Sequence, residues 1–402
     1  MKQLLAFCGI CLLLACHHTE QSMTLHAGAI RQADSQPGFC PYLTKDTKGR
    51  AVLSWVRTIN DTGAVFCYAV LQDGRSFGAP VEIPSSNNIE PHSENLPRII
   101  FKPSGEIIAL WGAQSNDTRN KYAGRVYYSR SFDEGKSWSN PQPLVSDTAG
   151  YDQRYYDVAL LPNGEAGIIW LDNRKTINKE GSALYFAQTR GSDGFQQERL
   201  ISQPCCQCCR TNLFADDKGS IHVLYRGIIN DSIRDMVHAV STDGGNHFST
   251  PQRLYEDNWV IRACPHTGPA MTANTNGLHF AWFTGGHTRG CFYTKSTDNG
   301  AHFAERDSIS LQGAHPQLAA LQNGDIVVVW DETVQRNNRI YKRIGLQKRN
   351  AADVVQRKEY ITADTGMATY PVITPVQGNC SLVAFVQTRG EQRYVAYQLI
   401  EW

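Results

Sequence analysis

Along this chain a short apolar run opens repeatedly a few residues after a glycine and closes on an aromatic side chain. Gly49/Trp55, Gly105/Trp111, Gly164/Trp170, Gly219/Tyr225, Gly277/Trp282, Gly324/Trp330 and Gly378/Phe385 make seven copies. Each glycine follows a polar cluster such as Pro162-Asn163 or Gln322-Asn323, where a tight turn needs positive φ. The runs behind them, Ile107 to Trp111 and Ile326 to Trp330 among them, have buried-strand composition. Another short strand precedes every glycine, beginning near Pro41, Pro97, Arg154, Arg210, Thr267, Pro316 and Pro371. The copies lie about 50 to 60 residues apart, room for one four-stranded sheet each, and a ring of such sheets is a β-propeller. The pattern predicts an all-β chain forming a single propeller of seven four-stranded blades.

A second signature falls later in the unit. Ser131-Phe132-Asp133-Glu134-Gly135-Lys136-Ser137-Trp138, Ser241 to Phe248 and Ser296 to Phe303 share Ser-x-Asp-x-Gly-x-x-aromatic, and Asp73-Gly74 with Phe77 and Asp193-Gly194 with Phe195 are worn copies. Such a segment is a turn between third and fourth strands: the carboxylate accepts turn amides, glycine takes positive φ, and the aromatic packs back. These residues resemble the Asp-box, or BNR, repeat of the sialidase superfamily, where their role is structural. Sialidases have six blades, so a six-bladed ring is the alternative the resemblance carries. The seventh unit has no fourth strand after Tyr394 to Ile400, and a segment near Met23 to Ala29 is placed to cover that edge.

Composition narrows the class further. With 39 Lys and Arg against 38 Asp and Glu the formal net charge is +1 and no long block of one sign occurs, which sets aside a nucleic-acid partner. The 33 Gly, 17 Pro and 10% aromatics suit many strands and turns. Met1 and Lys2 lead into an apolar run from Leu4 to Ala15, too short to span a bilayer, which reads as a secretory signal. Its end, Leu13-Leu14-Ala15-Cys16, resembles the bacterial lipoprotein signal, in which the cysteine is lipidated. The resemblance implies a signal over 1–15, a polar tether over 16–35 and the propeller over 36–402. It further implies a monomer in a bacterial envelope, held to the membrane by lipid alone.

In a propeller the first strand of each blade starts, and the second ends, on one face, while the Asp-box turns lie on the other. The first group reads Cys40, Arg98, Arg154, Cys209-Arg210, Cys264 to His266, His315 and Tyr370; the second includes Arg57, Asp172 to Arg174, Arg226 and Asp331-Glu332. Arg98, Arg154 and Arg210 would converge on a carboxylate, sulfate or phosphate, or else pair with neighbours such as Asp152, Asp157 and Asp172. Sialidases are similar in binding a carboxylate with three arginines, using an Asp as acid/base and attacking through a Tyr assisted by a Glu. The resemblance assigns Arg98, Arg226 and Arg289 to the arginines, Asp117 to the acid/base and Tyr370 to the nucleophile. No assisting glutamate appears at the position counted back from Arg226, which is Arg210.

The function expected is a sialidase-like glycoside hydrolase acting on an anionic, sialic-acid-type glycan, which needs no cofactor. The rival is a propeller that binds a glycan, protein or metal without turnover. Twelve cysteines less Cys8, Cys11 and Cys16 leave nine. The string Cys205-Cys206-Gln207-Cys208-Cys209 precedes one first strand and Cys264-Pro265-His266 the next. They are expected to meet at the mouth, either as a disulfide between Cys264 and the string or as a zinc or copper site including His266.

Overall fold

The computed structural model describes residues 26–402 except 62, 116, 122, 147–150 and 175–179, so the signal segment and Cys16 lie outside the described residues. The chain forms seven antiparallel sheets in sequence order, and the seven-bladed alternative is the one adopted. The first strands are Gly38–Lys45, Arg98–Phe101, Gln153–Leu160, Asn212–Ala215, Ala270–Asn274, Gly313–Ala320 and Ala368–Val376, within three residues of the expected starts. One short 3-10 turn, Pro84–Ser86, is the helical content of the described residues.

The ring closes through its N-terminal end. His26–Ala27 pairs with the last strand at Glu401 and Ile400, and Arg31–Gln32 pairs with it at Tyr397 and Ala396. Together they supply the missing outer strand of blade 7, so the edge is covered by the end of the stretch read as a tether.

Each signature aromatic is fully buried and belongs to the seam between its own blade and the one before. Trp111 packs with Phe66 and Tyr68 of blade 1, Trp282 with Leu224 and Met236 of blade 4, and Trp55 with Leu382 and Ala384 of blade 7. There are seven such clusters, one per seam. No blade buries both of its faces alone, which makes the ring one cooperative unit.

The turns on the far face lock the same seams. In three of them the serine hydroxyl, from Ser131, Ser241 or Ser296, donates to the Asp carboxylate at 2.8 to 2.9 Å and accepts the glycine N–H. The glycine then lies flat against a third-strand ring of the preceding blade. A Cβ on Gly245 would stand 2.4 Å from Phe186, and one on Gly300 2.2 Å from His238.

The first strands carry a regular irregularity. In blades 1, 3, 6 and 7 the pairing slips by one residue, so Cys40-Pro41, Tyr155-Tyr156, His315-Pro316 and Tyr370-Pro371 stand opposite Trp55, Trp170, Trp330 and Phe385. The first residue of each bulge has φ between 50° and 59°, and His266 of blade 5 has φ 47°. Such bulges re-aim a side chain out of the strand's alternation. Here they turn it toward the channel mouth.

Candidate functional site

Blades 6 and 7 supply one half of the mouth. His315 Nδ1 lies 2.6 Å from Asp331 Oδ2, and the same oxygen accepts the Tyr370 N–H at 2.9 Å. Lys342 stands 3.4 Å from the other oxygen, and the His315 and Tyr370 rings lie tilted at 32° with centroids 4.2 Å apart. Burial works against the His315 cation, but the Asp331 charge outweighs it and the imidazole pKa is raised. Burial likewise works against the Asp331 charge, and His315 with Lys342 outweighs it, so that carboxyl is lowered. The pair is ionic.

The other half comes from the loop before the first strand of blade 2. Ser93 reaches both the Tyr370 phenol and the Cys40 thiol, and Glu94, buried beside them, faces Arg210 at 3.5 Å. Burial, then the charges of Glu94 and Asp331, push the Tyr370 phenol up to about 12. Burial and then His266, whose ring is 5.4 Å away, lower the His92 pKa, and the Tyr155 ring sits 6.0 Å from His92. Arg210 donates to the Gly268 carbonyl and faces the side-chain amide of Gln317. The mouth therefore gathers imidazoles, phenols, two carboxylates and one guanidinium from six blades.

The expected arginines divide into two sets. Arg98 is 2% exposed, bonds Asp157 at 2.8 Å and lies over the Tyr42 ring. Arg226, also 2% exposed, donates to the carbonyls of Arg234, Thr267 and Phe283 and stacks on Trp259. Both hold the wall together. Arg154, partly exposed, pairs with Asp152 at 2.9 Å, and Arg289 is exposed beside Phe283. Asp117 sits in the loop after the second strand of blade 2, where Arg119 holds its carboxyl down to about 2.

Sequence reasoning missed Glu94, His92 and Ser93, and gave His315 and Asp331 only as mouth residues. Glu94 was visible in Glu94-Asn95-Leu96-Pro97-Arg98, but the count back from Arg226 searched the wrong blade. The proline after Cys40, His315 and Tyr370 was the available signal for the bulges, because a proline inside a sheet belongs at one.

The cysteines separate as well. All nine described cysteines are unbonded, and no sulfur pair among the described residues lies at bonding distance. Cys206, Cys208 and Cys209 form a buried trio able to hold a metal ion. The Cys205 thiol points away to the Ser202 carbonyl and burial raises it to about 12. His266 belongs to the His92 pair at the mouth.

No family model and no curated protein matches the sequence. Among solved structures the chain is similar to polysaccharide lyase Uly1, with 11% identity over 91% of this chain and 90% of that one and a TM-score of 0.55. It is similar to a mutant of NanB sialidase from Streptococcus pneumoniae, with 11% identity, 90% and 85% coverage and a TM-score of 0.51. It is also similar to the Hadza microbial sialidase Hz136, at 12%, with 85% and 74% coverage and 0.50. At these identities the likeness is one of fold, a β-propeller that this chain shares with sialidases and a polysaccharide lyase.

Proposed function

We propose, on the ground of that fold and the chemistry of its mouth, that this protein cleaves a carboxylate-bearing glycan there, tethered by lipid on Cys16 in a bacterial envelope. The observation that carries the reading is Tyr370, aimed into the mouth by a strained bulge, with the buried Glu94 carboxylate beside it. In the hydrolytic form Tyr370 attacks the anomeric carbon as Glu94 takes its proton, since a phenol this far above neutral pH needs a base to act as nucleophile; the glycosidic bond breaks, the aglycone oxygen leaves with a proton from solvent, and water then displaces Tyr370 from the sugar. Arg210 and Arg154 meet the substrate carboxylate, and no cofactor takes part.

A second reading, β-elimination, is favoured by one specific observation. Arg98 and Arg226 are engaged in the wall, so three arginines do not face one carboxylate, whereas a tyrosine whose phenol is raised, a His92 imidazole whose pKa is lowered, and Arg210 with Arg154 suit removal of a proton beside a neutralised uronate. The product decides between them. Purified protein is incubated with a fluorogenic sialoside and with a panel of uronate polysaccharides. Released sialic acid or new reducing ends without ultraviolet absorbance mark hydrolysis, and an absorbing unsaturated uronide marks elimination. Binding to these ligands with no product of either kind would leave the non-catalytic propeller as the correct reading.

A further inference from the structure

The cysteine trio lies just behind the mouth, and its surroundings are those of thiolates. Cys206 Sγ stands 3.7 Å from Cys208 Sγ and 3.5 Å from Cys209 Sγ. Arg226 Nε donates to Cys209 Sγ and Arg234 Nη1 to Cys206 Sγ, each at 3.3 Å. Arg226 is buried, and its other hydrogen bonds go to backbone carbonyls. A guanidinium in that position needs negative charge nearby, because an uncompensated buried ion is costly, and the Asp257 carboxylate supplies part of it. Three neutral thiols would add none, although two of them accept guanidinium hydrogen bonds. Three bare thiolates would repel one another.

A cation at the centre resolves both problems. Disulfide bonding requires sulfurs about 2.05 Å apart, and one bond within the trio would strand the third sulfur. A tetrahedral zinc with bonds of about 2.3 Å sets sulfur to sulfur edges of about 3.8 Å, close to the observed spacing. Cys208 and Cys264 both line a cavity of about 520 Å³. Cys264 is exposed there.

We propose that Cys206, Cys208 and Cys209 bind a zinc ion as thiolates, with Cys264 from across the cavity as the fourth ligand. Binding releases four thiol protons to solvent, and Arg234, which also pairs with Glu180, stands with Arg226 against the thiolates. Cys205, turned to Ser202, takes no part. Cys209 precedes Arg210, and Thr211 bonds the Tyr155 carbonyl at 2.8 Å, so the ion would tie the loops before blades 4 and 5 together beside His266 and fix two mouth residues. The inference is independent of which reaction the mouth performs.

Element analysis of the full chain purified without chelator tests it. One zinc per chain is expected, retained in Cys205→Ser and lost in Cys208→Ser. Arg234→Gln, which keeps every ligand, is expected to weaken zinc about 10-fold or more in competition with a chelator. If Cys208→Ser fails to fold, cobalt substitution of the unaltered protein serves instead. Intense sulfur-to-cobalt charge transfer with tetrahedral visible bands supports the site, and its loss of intensity in Cys264→Ser confirms the fourth ligand. Four free thiols without metal, a mapped disulfide within the trio, or copper in place of zinc overturns the proposal.

Discussion

Changing Asp331 to Asn should make the stability of the whole propeller respond differently to pH. Asp331 is fully buried; its charge faces His315 and Lys342 of its own blade 6, and it accepts the Tyr370 amide N–H of blade 7. An asparagine keeps an acceptor for the Tyr370 N–H and loses the charge-assisted bond to His315. A hydrogen bond to a charged group contributes about 1.5 to 3 kcal/mol, and we expect a loss of about 2 to 3 kcal/mol. For a chain this long that is about 2 to 4 °C in Tm.

The sign follows from the two shifts. His315 is raised from 6.5, so its contribution is complete below that pH and disappears as pH climbs through the folded value. Asp331 is lowered from 3.8, so its contribution is complete above that pH and disappears as pH falls through the folded value. The gap between wild type and Asp331→Asn should therefore be widest in the window from about 4 to 6.5 and shrink on both sides. Scanning calorimetry of both proteins across that range measures it. A gap that stays constant with pH would refute the ion pair, and a gap that widens at alkaline pH would refute the assigned charges.

Replacing Tyr370 with Phe should cut turnover by about 10² to 10⁴ while binding of the uncleaved glycan, followed by calorimetry, stays within a few-fold. Arg98→Ala should unfold the protein more easily by about 3 to 5 kcal/mol, because Asp157 is left buried and unpaired, as denaturant titration would show. Arg154→Ala, at a pair about one quarter exposed, should change stability by under about 1 kcal/mol and weaken the carboxylated ligand instead. Gly300→Ala should destabilise well beyond Gly378→Ala: both have positive φ, but the new methyl group at 300 meets His238 and the one at 378 meets nothing. Equal midpoints for the two glycine variants would remove the seam from the argument.

Why the ring was legible and the mouth was not follows from what each position must do. A turn glycine and a seam aromatic perform the same task in every blade. Gly105, Gly164 and Gly324 all need positive φ, and Trp111, Trp170 and Trp330 all fill the gap to the previous blade, so the same residue types recur and the period shows. The far-face turns repeat for the same reason. Closure was legible too, as a unit missing one strand, although the pairing extends to Gln32.

The mouth positions share a backbone task and no side-chain task. At each bulge two residues oppose one aromatic, and the first takes a positive φ that costs a non-glycine residue about 1 to 3 kcal/mol. Glycine would remove that cost, yet the residues present are Cys40, Tyr155, His315 and Tyr370. Their side chains are therefore what the position is for, and they differ because each must face a different neighbour: Ser93 for Cys40, His92 for Tyr155, Asp331 for His315. A device repeated in geometry and varied in chemistry leaves no period in the sequence. Glu94 shows the same limit from the other side. It acts on Tyr370 from a blade five places away in the chain, and no spacing rule within one unit could have joined them.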